Sequence, residues 1–337
     1  MAADLARRVE QLAGDRPLPR ASLPRSPEPT LATLTHEPFS DESWVFEPKL
    51  DGVRCLAIVE NGEPRLLSRS GQKLDGTYPE LVEALREQRI DGSVVLDGEV
   101  VAFENGRSSF RRLQGRMQLT DPDAARRTGI PVRYYLFDVL HAAGYDTRAL
   151  PLRTRKRLLS RLLAFGDPLR YTQHRNTKGK ELFADACRRG WEGLIAKRAD
   201  SRYASKRSSD WLKFRCDRQQ EFVICGYTPP RGSRIGFGAL LLGYLENGSL
   251  HYAGMVGTGF DNRTLRDLHA RLRRLEDGAR AIRPGNAPRD VHWVEPRLVA
   301  QVAFTEWTGD NRLRHPRFLG LRTDKAAEEV VREEGGS

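Results

Sequence analysis

Short apolar runs recur along this chain, and three of them are broken by the same dipeptide. "AIVENGEPRLLS", "VVAFENGRSSF" and "GYLENGSLHYAGMV" each place apolar or β-branched residues on both sides of Asn-Gly. Asn and Gly tolerate the positive φ of a tight hairpin, so each segment predicts two paired strands. Other stretches follow the helical period. "YPELVEALREQ" (78–88) carries Leu81, Val82 and Leu85 at that spacing. "PLRTRKRLLSRLLAF" (151–165) starts on proline and puts Leu152, Leu159, Leu162 and Leu163 on one face. Its other face holds Arg153, Arg155, Lys156, Arg157 and Arg161, a candidate surface for a polyanion. "KELFADACRRG" (180–190) ends on glycine, as helices often do.

Helices and strands alternate up to about residue 217, where the pattern changes. "EFVICGY", "GALLLGYLENGSLHYAGMV" and "WVEPRLVAQVAFTEW" read as strands, with one helical stretch, "NRTLRDLHARLRRLE" (262–276), among them. About five strands and one helix fit a small barrel of the OB type. At the other end, "RPLPRASLPRSPEPT" is too rich in Pro, Ser and Arg to form a core element. The expected organisation is an extension and linker over 1–30, an α+β domain over 31–217, an all-β barrel over 218–330, and a tail over 331–337. Two domains also suit 337 residues, too many for one ordinary core.

Composition narrows the partners. Lys and Arg total 56 against 45 Asp and Glu, a formal charge of +11. That points to nucleic acid, or else to a basic surface that is simply solvated. No apolar run reaches the roughly 20 residues of a membrane span, and no secretory signal is visible. Cys55, Cys187, Cys216 and Cys225 form no CxxC pair, and the histidines have no zinc spacing. A reducing cytoplasm and no structural metal are expected.

The chemistry gathers on strands. In "FEPKLDGVRCLA" strand alternation puts Glu47, Lys49 and Asp51 on one face. Lys49 is either an ordinary edge lysine or a nucleophile, and an amine attacks only when deprotonated. Arg54 follows with a fork suited to phosphate or carboxylate. In "VVLDGEVVAF" Asp97 and Glu99 share a face, and Glu192 enters the apolar strand "GLIAKR", which also carries Lys197. Each acid alone reads as a surface residue, whereas carboxylates converging from separate strands suit a hard cation such as Mg²⁺. "WLKFR" offers Lys213 and Arg215 to one side.

In order, "EPKLDGVR", "SRSG", "LDGEVVAF", "YLFDVL", "EGLIAK" and "SSDWLKFR" resemble the six-part signature of the covalent nucleotidyltransferases: ATP-dependent DNA ligases, RNA ligases and mRNA capping enzymes. "RFLGLRTDK" (317–325) resembles the basic element of the ligases' second domain. Within that superfamily the chain is most similar to the bacterial ligase module associated with end joining. The resemblance covers roughly 28–330.

The resemblance implies an ATP-grasp-like adenylation domain followed by an OB-fold, and an ATP-dependent DNA ligase acting in repair. Lys49 would carry AMP, and Glu47 would meet the adenine region. Arg54 and Arg69 would contact the nucleotide or a DNA 5′-phosphate. Glu99 would touch ribose or metal, Phe137 would stack on the base, and Glu192 would bind Mg²⁺ (or Mn²⁺). Arg207, Lys213 and Arg215 would grip phosphates. Arg322, Asp324 and Lys325 would close over ATP, while Asp51, Asp97 and Lys197 complete the motifs. Nicked double-stranded DNA, end-joining repair proteins, a monomer and a nucleoid-associated cytoplasmic location follow as expectations. The alternatives are an RNA ligase or capping-type guanylyltransferase, and a non-catalytic nucleic-acid-binding protein.

Overall fold

The computed structural model describes all residues except 1, 17, 36, 91, 217, 278–281, 283–289 and 334–337. The chain divides into two compact units after Cys216.

The first unit opens with α1 (Ala2–Ala13), β1 (Leu31–Leu34), β2 (Trp44–Lys49), β3 (Val53–Glu60) and β4 (Glu63–Ser68). It continues through α2 (Pro79–Glu87), β5 (Ser93–Glu104), β6 (Arg107–Ser108), α3 (Phe110–Leu113), α4 (Pro122–Arg127), β7 (Val132–Ala142) and β8 (Tyr145–Asp146). Then come α5 (Leu152–Leu162), β9 (Leu169–Tyr171), β10 (Arg175–Asn176), α6 (Gly179–Arg188), β11 (Gly193–Arg198) and β12 (Arg207–Arg215). One sheet has the order β4-β3-β5-β7-β8, with β6 beside β5 and β9 beside β7; the other runs β1-β12-β11-β2-β10. Pairing is antiparallel except for β7–β9 and β1–β12.

Strand alternation decides which face meets which layer. On β3, Cys55, Ala57 and Val59 enter the main core with the helices. Leu56 and Ile58 point the other way, toward Phe137, Tyr203 and Trp211. On β5, Val94 and Leu96 join the main core while Val95 joins the second cluster. The face of Val95 is therefore also the face of Asp97 and Glu99, and it looks toward the second sheet. The expected hairpins form: φ is 52° and 82° at Asn61-Gly62, and 51° and 76° at Asn105-Gly106. Gly52 is fixed by close approach, since a Cβ there would lie 2.2 Å from the Val100 carbonyl oxygen.

Three expectations need correction. Residues 1–30 are not a free linker. In α1, Val9 and Ala13 are buried against the core, and Glu10 accepts from the Tyr145 hydroxyl. Farther on, the Ala21 N–H bonds the Gly144 carbonyl at 3.0 Å. Nor is the whole basic face of 151–165 open to a polyanion. Arg155 is buried in a two-point pair with Asp138 (2.7 and 2.9 Å), and Lys156 is buried against Glu47. Only Arg153, Arg157 and Arg161 stay exposed. Lastly, Cys187 and Cys216 are not free thiols but a disulfide joining the end of α6 to the residue after β12. Cys55 and Cys225 are free and buried.

The second unit contains β13 (Arg218–Tyr227), β14 (Leu240–Glu246), β15 (Ser249–Val256), α7 (Asn262–Arg274), β16 (His292–Trp293), β17 (Val299–Phe304), β18 (Glu306–Trp307), β19 (Leu313–Arg314) and β20 (Arg317–Leu321). Its main sheet has the order β15-β14-β13-β17-β20, with β16 paired to β13, and every pairing is antiparallel. Register shifts in several pairs bend it, as bulges do. In α7, Leu265, Leu268 and Leu272 pack into the sheet's core, and Asp261 caps the first turn through the Thr264 N–H at 2.7 Å. The expected tail is partly built in: the Val331 carbonyl accepts from the Gln220 side-chain amide at 3.1 Å, and the Glu333 N–H bonds the Gln220 side-chain oxygen at 3.2 Å. Residues 334–337 lie outside the described residues. Among the described residues no helix is long and apolar enough to cross a membrane.

Candidate active site

Between the two sheets of the first unit lies a cavity of about 130 Å³. Glu47, Lys49, Arg54, Glu99, Phe137 and Lys197 all line it, so six of the expected residues meet there. Thr172 and Trp211 complete its polar and aromatic wall.

Lys49 ends β2, and β11 runs antiparallel beside it with Gly193 opposite Lys49. Glu192, the residue before β11, thereby reaches the lysine: Nζ and Oε1 are 2.5 Å apart. Gly193 makes this turn possible. Its φ is +148°, and a Cβ would lie 1.8 Å from the Phe214 carbonyl oxygen. The Cys216 N–H holds the Glu192 carbonyl at 3.0 Å, and Arg215 Nε lies 3.9 Å from Glu192 Oε1.

Glu47 sits deeper, between two ammonium groups. Lys156 contacts Oε1, and Lys197 lies 2.6 Å from Oε2. Burial would raise the Glu47 carboxyl, but these two cations outweigh it and hold it below its usual range. Burial instead dominates at Lys197, whose ammonium is pushed down to about 8. That ammonium also lies 4.0 Å from the ring centres of both Phe137 and Trp211.

Arg54 is held in place from below. Its guanidinium meets Asp97 at 2.5 and 2.6 Å and covers the Phe137 ring at 4.7 Å. Asp97 is fully buried and also accepts from the Tyr203 hydroxyl at 2.6 Å. Asp97 is thus a support for Arg54 and does not itself line the cavity.

Other expected residues lie elsewhere. The β2 strand ends at Lys49, so Asp51 does not share its face; Asp51 accepts from the Phe110 N–H at 3.0 Å, at the start of α3. Among the described residues the lining includes none of Arg69, Arg207, Lys213 and Arg215. Arg69 occupies the turn after β4. Arg207 is exposed and bonds the Ala32 carbonyl at 2.7 Å, while Lys213 is buried on β12. In the second unit Arg322 forms a two-point pair with Asp324 at 2.9 and 2.7 Å, and Lys325 lies 3.2 Å from Glu221.

The donor set fits Mg²⁺. Glu192, which does not itself line the cavity, has its Oε2 buried with no hydrogen-bond partner beside Lys49, and Glu99 lines the cavity that Lys49 also lines. Among the described residues no three acidic, His or Cys side chains form a closed cage. Mg²⁺ usually takes one or two carboxylates and fills its other positions with water and phosphate oxygens.

Sequence reasoning missed Lys156 and Thr172 as parts of this site. Lys156 did leave a signal. It stands with Leu152, Arg155 and Leu159 at i, i+3, i+4 and i+7 spacing, the stripe a helix buries.

Comparison with known proteins bears on this geometry. Residues 29–215 match the family described as ATP dependent DNA ligase domain, and 233–325 match the ATP dependent DNA ligase C terminal region. The multifunctional non-homologous end joining protein LigD of Pseudomonas aeruginosa is 38% identical over 323 residues, covering 93% of this chain and 37% of that protein. The multifunctional non-homologous end joining DNA repair protein LigD of Mycobacterium tuberculosis is 38% identical over 312 residues, covering 90% and 40%. The chain therefore spans about two fifths of the length of these relatives. A solved structure, mycobacterial DNA ligase D complexed with ATP and MES, is similar with a TM-score of 0.62 and 34% identity, covering 91% of this chain and 98% of that one. Its nucleotidyltransferase domain and its OB-fold domain both accounted for, this chain belongs to the family of ATP-dependent DNA ligases.

Proposed function

We propose that this chain is the ligase module of a DNA repair protein and seals nicks between a 5′-phosphate and a 3′-hydroxyl. The observation that carries the reading is the contact of Glu192 with Lys49, which lines a cavity with a cationic and aromatic wall. Lys49 Nζ attacks the α-phosphorus of ATP, and the bond to the pyrophosphate oxygen breaks as the phosphorus–nitrogen bond forms. Glu192 Oε1, already within hydrogen-bond reach, takes the proton that Nζ must shed. AMP then passes to the 5′-phosphate, and the 3′-hydroxyl displaces it. A lysine nucleophile thus divides one hard joining reaction into easier steps.

Arg54, fixed by Asp97, is placed to hold a phosphate by its free edge, and Phe137 offers a ring face to the base. Mg²⁺, held by Glu192 with Glu99, would neutralise phosphate charge. Arg207, Lys213 and Arg215 serve DNA phosphates, and Arg69 the nucleotide or the 5′-phosphate. Arg322 and Lys325 orient the departing pyrophosphate in the first step only. End-joining proteins are the expected partners and the nucleoid of the cytoplasm the expected place, with a monomer as the working form.

The test is incubation with α-labelled ATP or GTP, then a chase with nicked DNA or nicked RNA. Label from ATP should become covalent, vanish in Lys49→Ala, and be discharged by nicked DNA. Lys49→Ala should still seal a pre-adenylated nick in part. Labelling by GTP with discharge to RNA would favour the capping-type alternative.

A further inference from the structure

The Arg54 guanidinium is gripped from two sides. Its Nε and Nη2 meet the Asp97 carboxylate, and Nη2 also donates to the Thr30 carbonyl at 3.3 Å. Those bonds use the Nε and Nη2 donors and leave the Nη1 donors for a ligand in the cavity that Arg54 lines.

A single hydroxyl fixes both grips. Tyr203 lies between β11 and β12 and is buried, as are Asp97 and Thr30. Its hydroxyl donates to Asp97 Oδ2 at 2.6 Å and accepts from the Thr30 N–H at 2.9 Å. The hydrogen bonds therefore close a ring, from Arg54 through Asp97, Tyr203 and Thr30 back to Arg54. Burial, with the Asp97 charge beside it, holds the Tyr203 hydroxyl well above its usual pKa, so it remains a donor. The Tyr203 ring stands edge-on to Trp211 with centres 5.8 Å apart, which fixes where the hydroxyl points. Thr30 is pinned on its far side too: its Oγ1 donates to the Ala204 carbonyl and accepts from the Ala204 N–H at 3.1 Å. A phenylalanine would fill the same space as Tyr203. What the hydroxyl adds is a pair of bonds, and both go to groups that hold Arg54.

We propose that Tyr203 is the positioning residue for Arg54: its hydroxyl sets the Asp97 carboxylate and the Thr30 carbonyl together, and so aims the Nη1 edge of the guanidinium at a phosphate oxygen of the nucleotide. This rests on the nucleotidyl-transfer reading above.

The test is a double-mutant cycle read in single-turnover labelling of Lys49 by ATP, with each variant kept below its thermal midpoint. Tyr203→Phe removes the hydroxyl and keeps the ring. Labelling should slow about 10- to 100-fold, the loss expected for a hydrogen bond to a charged group. Arg54→Lys keeps a cation for Asp97 but has no second edge to present. In that background Tyr203→Phe should change the rate less than about threefold. Thr30→Val loosens the ring from its far side, and its smaller loss should likewise disappear in Arg54→Lys. Equal fold losses in both backgrounds would make Tyr203 a packing residue and overturn the assignment. So would a Tyr203→Phe chain that labels at the wild-type rate, or one that does not fold while Thr30→Val leaves labelling unchanged. A wild-type protein that takes no label from ATP would instead remove the nucleotidyl-transfer reading beneath it.

Discussion

Lys49 Nζ and Glu192 Oε1 sit 2.5 Å apart across neighbouring strands, and each belongs to a different stretch of sequence. The pair joins the proposed nucleophile to a carboxylate close enough to take its proton. Glu192→Gln keeps the size and removes the basic oxygen. Lys49–AMP formation should slow by about 10²- to 10⁴-fold, the usual loss for a positioned general base. Single-turnover labelling with ATP measures it. A variant that folds and labels at the wild-type rate would reduce Glu192 to a structural partner.

Lys197 sets a pH window for stability. Burial pushes its ammonium down to about 8, from an ordinary value near 10.5, against the pull of Glu47 and with the like charge of Lys156 assisting. Between those two values the unfolded chain holds a proton that the folded chain has released. Stability from this group therefore rises as pH climbs from about 8 to 10.5, and the cost of burying the charge is fully present below 8. Denaturant midpoints across this range should rise less in Lys197→Met than in the wild type. Parallel curves would mean that Lys197 keeps its ordinary protonation in the folded chain.

Arg155 and Arg157 are two residues apart on α5 and should behave oppositely. Arg155 and Asp138 are both fully buried. Arg155→Ala leaves Asp138 unpaired and should cost about 3–5 kcal/mol. Arg157 is exposed, and Arg157→Ala should stay within about 0.5 kcal/mol of wild type. Urea unfolding of the two variants decides it. Comparable losses would mean that the helix does not bury the stripe described above.

In the proposed function Arg322 and Lys325 serve a step that ends when pyrophosphate leaves. Interactions made only in that step should affect only its rate. Arg322→Ala or Lys325→Ala should slow Lys49–AMP formation, while sealing of DNA already carrying 5′-AMP is much less affected. Equal losses in both reactions would assign these residues to DNA contact or to folding. The pairs Arg322–Asp324 and Lys325–Glu221 give the folding alternative a defined form, which thermal midpoints of the same variants would reveal.

Much of this architecture was legible because local rules were obeyed. Asn61-Gly62, Asn105-Gly106 and Asn247-Gly248 all take the positive φ that their hairpins require. The alternation through Val95, Asp97 and Glu99 put both acids on one side of β5. Where local rules ran out, the reading failed. Asp51 was assigned to the face of Lys49 because nothing in "KLDG" marks the strand's last residue. Arg155 and Lys156 read as part of the helix's polyanion-facing basic side because they are cations, although their spacing is that of a buried stripe; their partners, Asp138 and Glu47, lie on distant strands. Thr172 carries no motif, and its place in the cavity depends on contacts with Leu136 and Lys156 that only the folded chain brings together. The Pro-rich segment after α1 read as a spacer by composition, yet its backbone pairs beside Gly144 and Tyr145.

The Cys187–Cys216 bond has a consequence for connectivity. It closes the backbone between them into a covalent ring that contains Glu192, Lys197 and both strands β11 and β12. Arg202 and Lys206 lie on the exposed part of that ring. A tryptic cut after either one opens the ring without releasing a fragment. The nicked chain would run as one band on a gel without thiol and as two after reduction, and Glu192 would stay tethered to the strand beside it.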